Sequence, residues 1–164
     1  TSHLLEQGRT LPGFIGDIGY AQSNRERYEG FCQALTDAGK KVDSSLCLTT
    51  PLGIDTYREE IDTFLSSLSR MPDAFVCASD YVACILMQLL EKRGLRVPED
   101  VAVSGFDNNT EDLLAEHLTT VQVFNEELGA RLALQILYRI KYPNTPHEIT
   151  YLGTNVLYRD STGD

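Results

Sequence analysis

Four short apolar runs separated by three stretches with helical periodicity constrain this chain more than any other feature. The runs are Gly13-Phe14-Ile15-Gly16, Val42 to Thr49, Ala74 to Ala78 and Val101 to Phe106. Ala74 to Ala78 is apolar without alternation, as in a strand covered on both faces. Ser23 is a plausible helix cap, with Glu26 three residues on completing a capping box. That helix runs to Ala38 with an apolar stripe of Tyr28, Phe31, Leu35 and Ala38, and Gly39 ends it. A second helix opens at Asp55 or Thr56, carries Ile61, Phe64, Leu65 and Leu68, and breaks at Met71-Pro72-Asp73. A third, Tyr81 to Lys92, is capped by Asp80 and closed by Gly94. Crossover helices between successive strands imply an α/β fold: a doubly wound parallel sheet with helices on both faces.

The ends of the chain depart from this rhythm. Thr1 to Gly8 reads as the end of a helix. Beyond Phe106, Asn108 to Glu116 is a loop or short helix, and Leu118 to Val121 is a short extended piece. Glu126 to Ile140 is a long helix, and Tyr142 to His147 is a polar turn. Ile149 to Tyr158 is a last strand or hairpin, followed by a tail from Arg159 to Asp164.

Charge and cysteine usage exclude several classes. The net charge of −10, with scattered Lys and Arg, makes the chain as it stands a poor partner for nucleic acid. Cys32, Cys47, Cys77 and Cys84 form no Cys-x-x-Cys pair and have apolar neighbours, which reads as four buried thiols in a reducing, cytoplasmic setting, with no metal site. No apolar run is long enough to span a bilayer, and no signal peptide is evident.

Ligands of open parallel sheets bind beyond the carboxyl ends of the strands. Four loops lie there: Asp17 to Arg27, Thr49 to Asp55, Ser79-Asp80 and Asp107-Asn108-Asn109. Asp107 either caps the following turn or accepts hydroxyl hydrogen bonds from a polyol. Asp80 satisfies orphan helix amides and can also touch a ligand. Arg25 and Arg27 sit in the first turn of a helix, where the dipole mildly disfavours a cation; a ligand or anion would compensate, and Arg25 can instead pair with Glu26 or Glu29. An enzyme is not expected. His3, His117 and His147 lie away from these loops, no nucleophile and base are grouped, and Gly13 to Asp17 lacks a dinucleotide fingerprint. The strand-end acids suggest a phospho-acceptor receiver, but the β/α repeat stops after Asp107.

Several segments together resemble the effector-binding region of LacI/GalR regulators. They are His3 to Asp17 (HLLEQGRTLPGFIGD), Ser23 to Leu35 (SNRERYEGFCQAL), Phe75 to Asn108, Leu118 to Leu137 (LTTVQVFNEELGARLALQIL) and Leu157 to Thr162 (LYRDST). Arg9 stands where that family usually has His. The resemblance implies a type I periplasmic-binding-protein-like fold, of which this chain supplies the C-terminal subdomain. Residues 1–118 are then the effector-binding subdomain, 119–142 a crossover and a helix belonging to the other subdomain, and 143–164 the returning strand and tail. It implies effector contacts at Arg27, Asp107, Asp80 and Ser79, with Phe124 as apolar cover, and a dimer face at Ile85, Leu86 and Leu89. The implied partners are a sugar or sugar derivative, a second copy of the chain, and operator DNA through a helix-turn-helix outside this sequence, with no cofactor. An exported sugar-binding protein of an ABC transporter shares the fold; the four cysteines and the Arg-Asp-Ser-Thr ending lean against it.

Overall fold

The computed structural model describes residues 1–53, 55–109 and 113–163. Its central sheet has four parallel strands, β1 (Pro12–Ile15), β2 (Cys47–Leu48), β3 (Ala74–Cys77) and β4 (Ala102–Ser104), in the order β2-β1-β3-β4. Phe14 pairs with Cys47 on one side and Val76 on the other, and Val76 pairs with Ser104. The winding direction therefore reverses between β1 and β3, which creates a crevice at their carboxyl ends.

Side chains alternate across each strand, so every strand feeds two cores. Ile15, Phe75, Cys77 and Val103 face α3 (Tyr57–Ser67) and α4 (Asp80–Lys92), packing on Ile61, Leu65, Val82, Leu86 and Leu90. Phe14, Val76, Ala74 and Ala102 face α1 (Ser2–Glu6) and α2 (Gln22–Asp37), meeting Leu4, Phe31 and Leu35. This is the expected doubly wound arrangement.

The caps differ from expectation. Helix α2 begins at Gln22, and Ala21 at its N-cap supplies no side-chain bond. Ser23 thus lies inside the first turn, and Glu26 accepts from Gln22 Nε2 at 3.2 Å instead of completing a capping box. At α4 the cap is Ser79, whose Oγ accepts from the Val82 amide at 3.3 Å; Asp80 is the first helical residue. The run Val42 to Thr49 yields two strand residues, because β2 is an edge strand with one neighbour. Ser44–Leu46 before it form a 3₁₀ turn, started by the Asp43 carboxylate accepting from the Ser45 amide at 3.0 Å. Of the four thiols, Cys77 and Cys84 are buried and Cys32 and Cys47 half-buried.

After β4 the chain turns at Asp107-Asn108-Asn109. Residues 110–112 of the expected loop or short helix lie outside the described part; Leu113–His117 form a 3₁₀ turn. The chain returns as β5 (Thr120–Gln122), alongside the end of β4: the Gly105 amide donates to Thr119 O at 2.8 Å and the Asp107 amide to Val121 O at 3.1 Å. The backbone beyond residue 118 thus stays tied to the end of β4 through Thr119 and Val121. β6 (Asn155–Leu157) pairs antiparallel with β5 and is as short as its partner, so most of the expected Ile149 to Tyr158 strand is irregular. The expected tail docks instead. Asp160–Thr162 form a 3₁₀ turn in which Ser161 and Thr162 are buried. Ser161 Oγ donates to Val103 O at 2.6 Å and accepts from the Thr119 amide at 2.8 Å.

Helix α5 (Asn125–Lys141) buries none of its residues. Leu128, Leu132, Leu134, Ile136 and Leu137 all face solvent. Conversely, Ile85, Leu86 and Leu89 of α4, expected on a dimer face, belong to the chain's own core at 7%, 0% and 3% exposure. Side chains so enclosed have almost no surface to offer a second chain, and the expectation is corrected on that ground.

Candidate functional site

The carboxyl ends of β1 and β3 bring Arg27 and Asp107 together. Arg27 lies in the second turn of α2, and its guanidinium reaches over the end of the sheet. One nitrogen donates to the Ala78 carbonyl just beyond β3. The other stands 3.4 Å from Asp107 Oδ1. The guanidinium also lies over the Phe106 ring, 3.7 Å from its centre, close enough for cation–π attraction. Burial pushes the Arg27 pKa down, against the opposing pull of Asp107 and Asp80. Burial likewise raises that of Asp107; Arg27 pulls it back down and Asp80 adds to the rise.

The backbone around Asp107 is unusual. Asp107 has φ +114° and Asn108 φ +53°, outside the regions most side chains adopt. Such strain persists where surroundings over-determine it, and it clusters at ligand-binding sites. Here the turn is fixed from several sides. The Asn108 amide donates to Thr120 Oγ1 at 3.2 Å, and Asn108 Nδ2 to Gln122 Oε1 at 2.8 Å. Arg159 donates to Asn108 Oδ1 at 2.8 Å and to the Leu118 carbonyl at 2.9 Å.

Asp80 belongs to this scaffold and not to the open edge. It is 3% exposed, with one carboxylate oxygen accepting from Thr120 Oγ1 at 2.5 Å and the other from the Asn109 amide at 2.7 Å. Burial raises its pKa, while Thr120, the Asn109 and Phe106 backbone and Arg159 act in the opposite sense. Ser79 Oγ accepts the α4 cap bond from the Val82 amide, which leaves its O–H as a donor. Phe124 stands immediately before α5, 42% exposed. Neither it nor Asp107 lines the hollow beside Arg27; Asp107 meets Arg27 at the rim of that hollow, while among the described residues no ring or charge contact joins Phe124 to either. Among the ion pairs of the described residues, none joins Arg25 to Glu26 or Glu29. Of the six residues drawn to attention as contacts or cations, the structure therefore joins Arg27 and Asp107. Asp17 shapes the loop after β1 by accepting from the Gly19 and Tyr20 amides at 2.8 and 3.1 Å.

That hollow, about 380 Å³, runs along the α1–α2 face between Arg27, Phe106 and the β5–β6 pair. A larger one, about 660 Å³, lies between α5 and residues 145–150 and shares no lining residue with it. Its walls are a solvent-facing helix and an irregular segment, so it lacks the fixed frame of the sheet edge. Among the described residues, no group of three or more His, Cys, Asp or Glu could hold a metal. Phe106, as a platform for Arg27, was not evident from sequence: the two are 79 positions apart, and no local signal links them.

The family described as periplasmic binding protein-like domain matches residues 1–162. The chain belongs to this family, in its LacI/GalR branch. It is 35% identical over 130 residues to the HTH-type transcriptional regulator DegA of Bacillus subtilis, covering 78% of this chain and 38% of that protein. It is 31% identical over 163 residues to the NTD biosynthesis operon regulator NtdR of the same organism, covering 98% and 49%. Among solved structures, a LacI-family transcriptional regulator from Sanguibacter keddieii superimposes with a TM-score of 0.84 at 28% identity, covering 99% of this chain and 62% of that one. The regulator CelR, in complex with cellobiose, superimposes with a TM-score of 0.83 at 29% identity, covering 98% and 49%. The chain thus spans less than half the length of DegA and of NtdR. These relatives are transcription regulators, which favours the regulator reading of the fold over the transport protein. Among the described residues, no helix is long and apolar enough to cross a membrane.

Proposed function

We propose that this chain is the effector-sensing part of a bacterial, sugar-responsive transcriptional repressor. A small hydroxylated molecule binds at the carboxyl edge of the sheet, between this unit and a second subdomain. Binding shifts a dimer between operator-competent and operator-incompetent arrangements, through differential affinity for the two. In this reading residues 1–118 form the effector-binding subdomain, the 119–142 segment crosses to the other subdomain, and 143–164 returns. Operator DNA is contacted by a separate helix-turn-helix domain of the same cytoplasmic protein, which has no catalytic role.

The observation that carries the reading is the meeting of Arg27 and Asp107 at the crevice where the winding reverses. Their 3.4 Å separation is longer than the ~2.7–2.9 Å of a closed charge-assisted pair, so neither group's bonding capacity is exhausted. A guanidinium offers donors and a carboxylate acceptors, and vicinal hydroxyls can bond both at once. One cation beside one anion suits a neutral polyol.

The test is calorimetric titration of the intact regulator with cellobiose and a panel of neutral and phosphorylated sugars. Hydrogen bonds to charged groups contribute about 1.5–3 kcal/mol each, so Arg27→Ala and Asp107→Ala should each weaken the bound sugar by roughly 10- to 150-fold. Unchanged affinity in both variants would refute the assignment.

A further inference from the structure

We infer that Asp80 is a positioning residue, a buried staple that holds the 107–109 turn against β5 and so keeps the Asp107 carboxylate beside Arg27. Its bearing on the effector rests on the reading of Asp107 given above; the staple itself rests on geometry alone.

Asp80 stands at the start of α4, on the opposite side of the sheet from α2. Its backbone amide donates to the Phe106 carbonyl at 2.8 Å, which joins α4 to the residue before the turn. One oxygen accepts from the Asn109 amide, at the far end of the turn. The other accepts from the Thr120 hydroxyl, whose oxygen in turn accepts from the Asn108 amide. The residue before the turn, the turn itself and β5 are thereby tied to one residue, the first through its backbone amide and the other two through its carboxylate. The chain leaves no spare room for this group: a methyl built on Gly105 would stand 2.2 Å from Asp80 Oδ1. With both oxygens engaged and 3% of the residue exposed, Asp80 cannot also serve as a ligand contact without releasing the turn.

The turn needs such a restraint. Asp107 and Asn108 both carry positive φ, which a free chain would seldom populate. Removing the Asn109 and Thr120 bonds lets these two residues relax toward ordinary backbone, and the Asp107 side chain leaves Arg27 as they do.

Amide hydrogen exchange on the chain tests this without any effector, so its result is independent of whether Arg27 and Asp107 bind one. The variants are Asp80→Asn, Thr120→Val and Thr120→Ser. In Asp80→Asn the amide group presents a donor to either the Asn109 amide or the Thr120 hydroxyl, so one buried group loses its acceptor. Exchange at Asn108 and Asn109 should speed up roughly tenfold or more in Asp80→Asn and Thr120→Val, while the amides of β1 and β3 keep their rates. Thr120→Ser retains the hydroxyl and should restore slow exchange to within about twofold of the parent. Equal acceleration of turn and core amides, or a variant that does not fold, would show that Asp80 serves global stability and would overturn the local staple. Unchanged exchange at 108 and 109 would overturn it as well.

Discussion

Replacing Gly105 by Ala should destabilise the chain out of proportion to a single methyl group. The added Cβ would lie 2.2 Å from Asp80 Oδ1, 2.9 Å from Leu118 Cδ2 and 3.1 Å from the Asp80 backbone. The Asp80 side chain must move by about an ångström, and its bonds to Thr120 and Asn109 are then strained or lost. Overpacking of this kind costs about 1–3 kcal/mol, and each disrupted buried hydrogen bond adds about 1 kcal/mol. The total is about 3–5 kcal/mol, which for a domain of this size lowers Tm by roughly 6–20 °C. Gly30 supplies the contrast. It lies within α2, and nothing stands within 4 Å of a methyl built there. Gly30→Ala should raise stability by about 0.5–1 kcal/mol through the helix backbone alone. Thermal unfolding followed by circular dichroism or calorimetry measures both. A Gly105→Ala variant that melts within about 2 °C of the parent would refute the steric account of the Asp80 scaffold.

Three further outcomes follow from the packing and charge of this chain. Leu128, Leu132, Ile136 and Ile140 of α5 are 47–73% exposed and recur at four-residue spacing, so the isolated chain should self-associate with rising concentration in sedimentation equilibrium; Leu132→Glu with Ile136→Glu should return it to monomer, and a parent that stays monomeric would contradict this. Asp100 is held down to about 2 by hydrogen bonds from the Arg96 side chain and backbone. A depressed carboxylate lends stability that is complete above the unfolded value near 4 and lost as pH falls toward 2, so Asp100→Asn should remove part of the acid limb of stability against pH, and an unaltered limb would exclude the pair as a contributor. Burial raises the thiol pKa of Cys77 and, to about 11, that of Cys47. Alkylation of the native chain at pH 8 should leave both largely unmodified until urea is added, whereas rapid labelling of Cys77 would show an opening the structure does not contain.

Much of the fold could be read from the residues because sheet and helices repeat short-range patterns. The strand Ala74 to Cys77 and the stripes on α2 and α3 each state their burial within a few positions. The apolar run of α4 was legible as helix but not as to side: it is apolar over most of its circumference, so core and interface look alike, and Ile85, Leu86 and Leu89 proved to be core. Edge strand β2 was overestimated because nothing local records how many neighbours a strand has. The docking of Ser161 and Thr162 was hidden because polar residues become buried there by bonding backbone and Thr119 some 42 positions away. In the site, Asp107 was legible through its place after a buried strand; Arg27 was singled out as a first-turn cation, but α2 begins at Gln22 and puts it in the second turn, where the dipole argument has lost its force. The role of Asp80 was out of reach, since its partners Asn109 and Thr120 lie 29 and 40 residues along the chain.

The most direct test of the effector reading is operator binding by the intact regulator, followed by fluorescence anisotropy with and without the sugar that calorimetry identifies. The parent should change its operator affinity by about 5- to 150-fold when the sugar is present, the usual span of allosteric coupling. Asp107→Ala should bind operator as the parent does without sugar and lose most of that response. A variant that responds to sugar as fully as the parent would contradict the claim that this sheet edge is where the signal is received.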